Sequence, residues 1–136
     1  MTGARHVTEP HRFAVRVYYE DTDFSGSIYH AAYLKFCERA RTEMLRSAGV
    51  HHAELAGQGI AFAVTEMQLR FLAAGRIDDE LAVVTASLGA TGARLRLSQK
   101  VFRGETLLCD VTLTVVAIRI GGGATRLPRQ LVAHFA

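Results

Sequence analysis

The chain has 136 residues, 49% of them apolar and 21% charged. That size and balance fit one folded domain with its own core and exclude an intrinsically disordered tail. No run approaches the ~18–20 consecutive apolar residues of a membrane span, and a formal net charge of +3 favours anions such as phosphates without indicating a nucleic-acid binder.

Residues 1–11 are polar, contain Pro10 and lack the apolar stretch of a secretory signal. They read as a loose lead-in to a protein of the cytoplasm. From Arg12 the pattern alternates, with Phe13, Val15, Val17 and Tyr19 on one side and Arg12, Ala14, Arg16 and Tyr18 on the other. That predicts a strand. Glu20-Asp21-Thr22-Asp23-Phe24-Ser25-Gly26-Ser27 then breaks the alternation and reads as a loop.

The period next changes to three and four. Tyr33, Phe36, Cys37, Ala40, Met44 and Ala48 form one stripe, with Lys35, Glu38, Arg39, Thr42, Glu43 and Arg46 between them. This spacing predicts one long amphipathic helix over about 28–48. Ser25 or Ser27 is placed to cap it, and Gly49 to end it. Glu38 and Arg41 stand three apart, as a surface pair would. After a connection over 50–59, four strands are predicted: 60–72 with Ala61, Ala63, Thr65, Met67, Leu69 and Phe71 on one face, then 80–90, 94–103 and 106–120. Gly89–Gly92 and Arg103-Gly104-Glu105 are hairpin connections. No internal repeat and no domain boundary interrupts the pattern, so the whole of 1–136 reads as one domain.

The expected fold class is therefore α+β: a curved five-stranded antiparallel sheet wrapped around one long central helix. On the last strand Leu108, Val116, Ile118 and Ile120 oppose Leu107, Val111, Leu113 and Val115. Apolar residues on both faces imply a second subunit, in a homodimer or homotetramer.

The loop before the helix carries the chemistry. A helix start presents unpaired N–H groups and partial positive charge, which polarise a carbonyl and stabilise an oxyanion. Asp23 lies just upstream. A carboxylate there serves as a general base or a nucleophile; equally, Asp23 and Asp21 can do no more than cap turns. Tyr29-His30 falls in the predicted first turn, where His30 either meets substrate or bonds the backbone.

Other chemistries are poorly supported. His6, His11, His30, His51, His52 and His134 have no metal-ligand spacing with acids or cysteines, so neither a metal nor another cofactor is expected. Cys37 and Cys109 have no CxxC spacing, and Cys37 sits on the apolar stripe as a core residue would. There is no G-x-S-x-G, and no GK[ST] follows Gly121–Gly123. Arg94, Arg96, Lys100 and Arg103, with Arg126 and Arg129 later, are either a solvated face and tail or a patch for the phosphates of a nucleotide-bearing ligand.

The run Arg16-Val17-Tyr18-Tyr19-Glu20-Asp21-Thr22-Asp23, with Gly26, Tyr29-His30-Ala31, Tyr33-Leu34-Lys35-Phe36 and Glu38-Arg39-Ala40-Arg41-Thr42-Glu43, resembles the acyl-CoA thioesterases encoded with the Tol–Pal system. Those enzymes belong to the hotdog-fold, 4-hydroxybenzoyl-CoA thioesterase-like superfamily. The likeness continues through Phe62-Ala63-Val64, the 73–79 stretch and Arg126-Leu127-Pro128. It implies a hotdog fold and metal-free hydrolysis of an acyl-CoA thioester to free acid and CoA. It puts Asp23 at the family's catalytic carboxylate and His30 where a backbone N–H polarises the thioester carbonyl, with Tyr29 its matched neighbour. It also implies subunits joined edge to edge, with active sites at their interface. Phe24, Ser25 and Ser27 depart from the smaller or apolar residues of many relatives, which bears on acyl-pocket shape. Two alternatives share the fold: a dehydratase, and a module that binds acyl-CoA or acyl carrier protein without turnover.

Overall fold

The computed structural model describes residues 9–136. The lead-in over 1–8, His6 included, lies outside the described residues. Six strands and three helices follow: β1 (His11–Arg16), α1 (Ala32–Ser47), α2 (His52–Gly57), β2 (Ile60–Phe71), β3 (Glu80–Ala90), β4 (Leu95–Arg103), β5 (Thr106–Arg119), β6 (Ala124–Thr125) and α3 (Arg129–Phe135). One antiparallel sheet runs β1-β3-β4-β5-β2, with β6 pairing β5 as a two-residue addition. The five main strands follow the predicted alternation, except that β1 stops at Arg16 and Tyr19–Asp21 forms a single 3-10 turn where the alternation ran on to Tyr19. The short elements β6, α2 and α3 are additions to that pattern.

The helix differs from its expected bounds. It starts at Ala32 rather than near residue 28, and at 16 residues it is about 24 Å long at 1.5 Å per residue. The cause is distant in sequence. Ser27 bridges Arg76, the Ile28 amide donates to Gly75 O at 2.9 Å, and the Tyr29 amide donates to Asp21 O at 2.8 Å. These bonds hold the backbone extended through Tyr29. Neither Ser25 nor Ser27 caps the helix, because Ala31 stands at its start. The C-terminus is as predicted: Gly49 has φ +81°, its amide donates to Arg46 O, and the Val50 amide reaches back to Leu45 O at 2.8 Å. That is a Schellman ending, which favours glycine at this position.

The buried face of α1 (Tyr33, Phe36, Cys37, Ala40, Met44, Leu45) packs in one core with Val83, Leu97, Val101, Val111 and Leu113 of the sheet. Both cysteines are buried and free. Burial pushes the Cys37 thiol up to about 12, so it is packing material rather than a nucleophile.

Two bulges shift which side chains face inward. In β2 the register slips between Val64 and Glu66. Ile60 and Phe62 therefore pack on the core before the slip, and Met67 and Leu69 after it, where strict alternation had grouped Ala61 and Ala63 with Met67. In β5 the slip opposite Val101 and Phe102 turns Leu108 inward beside Cys109 and leaves Leu107 half-buried. A one-residue slip reverses facing, because the side-chain period is two. The outer face of β5 then reads Asp110, Thr112, Thr114, Val116, Ile118, which is less apolar than the composition of the strand implied. No helix among the described residues is long and apolar enough to cross a membrane.

Candidate active site

The chain from Val17 to Ala31 folds back on itself against the β2–β3 connection. Val17 and the 78–79 backbone exchange hydrogen bonds at 2.9 Å, and Thr22 bridges Ile28. Within this fold Asp21 and Asp23 separate in role. Asp21 is buried, and its Oδ2 accepts the Tyr18 amide at 2.9 Å. It is a structural turn residue.

Asp23 lies at the surface end of the same hairpin. Its amide donates to Ser27 O at 2.8 Å, and Gly26, at φ +86°, closes the turn by donating to Asp23 O at 3.2 Å. Its Oδ1 accepts both the Ser25 amide at 2.8 Å and the Ser25 hydroxyl at 2.6 Å. These bonds, the hydroxyl first, hold the carboxyl below its ordinary value, and the charge of Arg76 adds to the effect. Asp23 is thus an ionised carboxylate at neutral pH, with Oδ1 held by Ser25 and the Ser27 backbone adding to the effect.

Tyr29 and His30 precede α1 rather than forming its first turn. The Ala32 amide donates to Tyr29 O at 2.8 Å and the Leu34 amide to Ala31 O at 3.2 Å. Among the described residues this leaves the His30 and Ala31 amides without a backbone acceptor, at the positive end of the helix. The imidazole of His30 is exposed. It stacks 4.5 Å from the Tyr29 ring and meets Phe71 edge-on at 6.3 Å. Phe71 also lies 5.7 Å from Tyr33, so the end of β2 forms one side of this corner.

Three residues take roles that the sequence reading does not give them. Ser25, considered as a helix cap and as a departure bearing on pocket shape, orients Asp23. Arg76 supplies the positive charge beside it. Arg103 anchors the 73–79 stretch by donating to Asp79 Oδ2 and Ala74 O, both at 3.1 Å. Only the resemblance pointed to that stretch, since its contacts are far apart in sequence.

The basic residues do not gather at Asp23 within one chain. Arg94 closes the β3–β4 turn, Arg96 and Lys100 lie on the outer face of β4, and Arg129 begins α3. Arg126 crosses the same turn over Gly92, where a Cβ would stand 1.9 Å from its Nη2. Asp23 lies toward the end of the sheet where Arg103 meets Asp79, about 26 Å from Leu95 along β4 at ~3.3 Å per residue, with Lys100 nearer to it than Arg94 and Arg96.

A cavity of about 340 Å³ opens at the Leu95 end, between α1 and the first half of β2. Its walls include Leu45, Phe62, Leu95, Leu97, Val115 and Leu131, with Glu38, Arg41, Thr42 and His52 also lining it. Arg41 does not pair with Glu38. It lies on the flank of the buried helix stripe and donates inward to Gln99 Oε1 at 2.9 Å. His52 is exposed, and its ring meets Phe62 edge-on at 5.4 Å. Among the described residues no cluster of three or more His, Cys, Asp or Glu is placed to hold a metal ion.

Residues 25–110 match the model of the thioesterase superfamily. The acyl-CoA thioester hydrolase YbgC of Escherichia coli O157:H7 is 40% identical over 126 residues, covering 91% of this chain and 94% of that one. The acyl-CoA thioesterase YbgC of Haemophilus influenzae is 40% identical over 125 residues, covering 90% and 92%. Among solved structures, a probable thioesterase from Bartonella henselae is 38% identical and superposes with a TM-score of 0.84 over 88% of this chain and 99% of that one.

Proposed function

Because this chain belongs to the thioesterase superfamily and hydrolyses acyl-CoA thioesters to free acid and CoA, we propose that Asp23 is its catalytic carboxylate and that the amides ahead of α1 are its oxyanion site. The observation that carries this reading is the pair of hydrogen bonds that Ser25 donates to Asp23 Oδ1. The pair keeps the carboxylate ionised and Oδ1 engaged, so that Oδ2 is the oxygen that acts.

As a general base, Asp23 takes a proton from water while the oxygen of that water attacks the thioester carbonyl carbon. The oxyanion that forms is stabilised by the His30 and Ala31 N–H groups. Collapse breaks the C–S bond, and the CoA thiolate takes the proton back from Asp23. As a nucleophile, Oδ2 instead attacks the carbonyl carbon and expels the thiolate. Water then hydrolyses the mixed anhydride. Mass spectrometry of enzyme quenched during turnover separates the routes, since an acyl adduct on Asp23 forms only along the second. In this reading His30 acts through its backbone N–H, while its exposed ring lies 4.5 Å from that of Tyr29.

We also read the site as shared between two hotdog domains, each spanning 1–136. β2 is an edge strand of 12 residues, with Val64 and Phe71 half exposed. An edge of that length is a pairing template. Antiparallel two-fold pairing sets the end of β2, with Phe71 and His30, beside the partner's Phe62–Val64 and its cavity. It also brings the partner's basic turn to the Asp23 end of the joined sheet. Arg94, Arg96, Lys100, Arg126 and Arg129 then reach the CoA phosphates across the subunit boundary. A homotetramer, a cytoplasmic location and an association with the Tol–Pal system extend this reading on the strength of the sequence resemblance.

A panel of acyl-CoAs and one acyl-carrier thioester tests the proposal by thiol release. Turnover that depends on Asp23 supports it. Hydration of an enoyl-CoA without thiol release, or tight binding without either, points to the dehydratase or to the binding module.

A further inference from the structure

The cavity beside α1 is lined by a guanidinium that makes no direct ion pair among the described residues, although the exposed Glu38 carboxylate lies on the same wall. Arg41 lines it, half-buried, and its recorded bond is to a neutral group, Gln99 Oε1, at 2.9 Å. Gln99 is itself fully buried, and its amide nitrogen donates to Cys37 O at 2.9 Å and to Thr85 Oγ1 at 3.0 Å. Those two bonds settle which way the carboxamide faces. Its oxygen is left for Arg41, and the guanidinium is held rather than free to sweep.

A guanidinium carries five N–H donors. Among the described residues the ion pairs are Arg16–Glu80, Arg46–Glu43 and Arg103–Asp79, and none includes Arg41. Glu38, an exposed neighbour at the cavity, acts on it only through space. Burial lowers the pKa of Arg41, yet arginine ordinarily titrates so high that it stays charged at pH 7. A cation removed from water without a paired anion is unfavourable. Here it is fixed in an open cavity, with its remaining donors available to whatever enters.

Apart from Glu38, Thr42 and His52 the other walls are apolar, and the cavity volume lies at the lower end of the ~300–1,000 Å³ typical of small-molecule sites. It accommodates a short or medium acyl group. Resting on the shared-site reading, in which this cavity lies beside the partner's end of β2 and takes the acyl group, we propose that Arg41 selects acyl chains that end in a carboxylate. The methylenes lie against the leucines and Phe62, and the distal carboxylate takes the guanidinium donors in a charge-assisted, two-pronged contact. A plain alkyl chain of the same length covers Arg41 and leaves it without that partner, which a site built for hydrogen bonding penalises.

The experiment compares hexanoyl-CoA with adipoyl-CoA, which have equal carbon number, by thiol release from the wild-type enzyme. The expected result is a kcat/KM at least tenfold higher for adipoyl-CoA, with Arg41→Met abolishing or reversing that preference. Equal use of the two, or a preference for hexanoyl-CoA, overturns the proposal. So does an Arg41→Met protein that keeps the wild-type preference. The wild-type comparison decides the matter even if Arg41→Met fails to fold. Free adipate, but not hexanoate, is expected to compete with substrate, and the reverse order counts against the proposal. Failure of the underlying reading looks different. Thr42→Trp would fill the cavity, and unchanged kinetics on both substrates would show that acyl groups bind elsewhere. No thiol release from any acyl-CoA would remove the thioesterase reading itself.

Discussion

Ser25 grips Asp23 twice at the same atom: its amide and its hydroxyl both donate to Oδ1, at 2.8 and 2.6 Å. Because both bonds favour the charged form, the carboxyl titrates below its ordinary value of 3.8. The acid limb of kcat/KM should therefore lie below that value, with activity level through neutral pH. Ser25→Ala removes the larger of the two causes and should move the limb upward. A pH–rate profile of the two proteins checks this. A limb near pH 6–7 would instead assign the base to an imidazole.

Asp23→Asn retains the shape of the side chain and removes its charge. The expected loss is ~10²–10⁴-fold in turnover, the usual contribution of a general acid or base. The amide oxygen can still accept from Ser25, so the thermal melting curve should stay close to wild type. Near wild-type rates in that folded protein would move the chemistry to another residue.

The elements were legible in the sequence wherever a local period governs them. The β1 alternation, the α1 stripe from Tyr33 to Met44 and the left-handed Gly49 all follow from residues near one another. What escaped depends on partners far along the chain. Nothing near Ser27 signals that it will bridge Arg76 and delay the helix to Ala32. Nothing near Leu108 signals the bulge that turns it inward. Asp23 could be singled out because it precedes a helix, but its orientation by Ser25 belongs to a turn that looked like a cap. Arg41 was misread as a partner for Glu38, since its actual acceptor, Gln99, lies 58 residues away.

The backbone role of His30 predicts an unequal pair of variants. His30→Ala retains the N–H at the head of α1 and should cost at most about tenfold in turnover, well short of Asp23→Asn. The ring contacts to Tyr29 and Phe71 are lost, so KM is expected to change more than kcat. A loss equal to that of Asp23→Asn would show that the imidazole takes part in the chemistry.

Gln99 should matter to stability before it matters to activity. Gln99→Leu fills the same space but leaves the Cys37 carbonyl, the Thr85 hydroxyl and the Arg41 guanidinium short of a partner in the core. Unpaired buried groups of this kind cost about 1–3 kcal/mol each. The expected outcome is a Tm lowered by several degrees and a smaller denaturation midpoint. An unchanged midpoint would show that water replaces the carboxamide.

The shared site predicts complementation between two inactive proteins. Asp23→Asn removes the carboxylate but leaves the cavity beside α1 intact, and Thr42→Trp blocks that cavity but leaves Asp23 intact. If each site takes its carboxylate from one chain and its cavity from the other, a mixed dimer has one site with both parts whole and one with neither. Random reassortment makes half the dimers mixed in a closed two-fold pair, so about a quarter of wild-type activity should return. The variants are unfolded together, refolded and assayed, with light scattering to confirm dimers or larger assemblies. Activity that stays at the level of the separate variants would place the whole site within one chain. The β2 edge would then have to be covered for some reason other than catalysis.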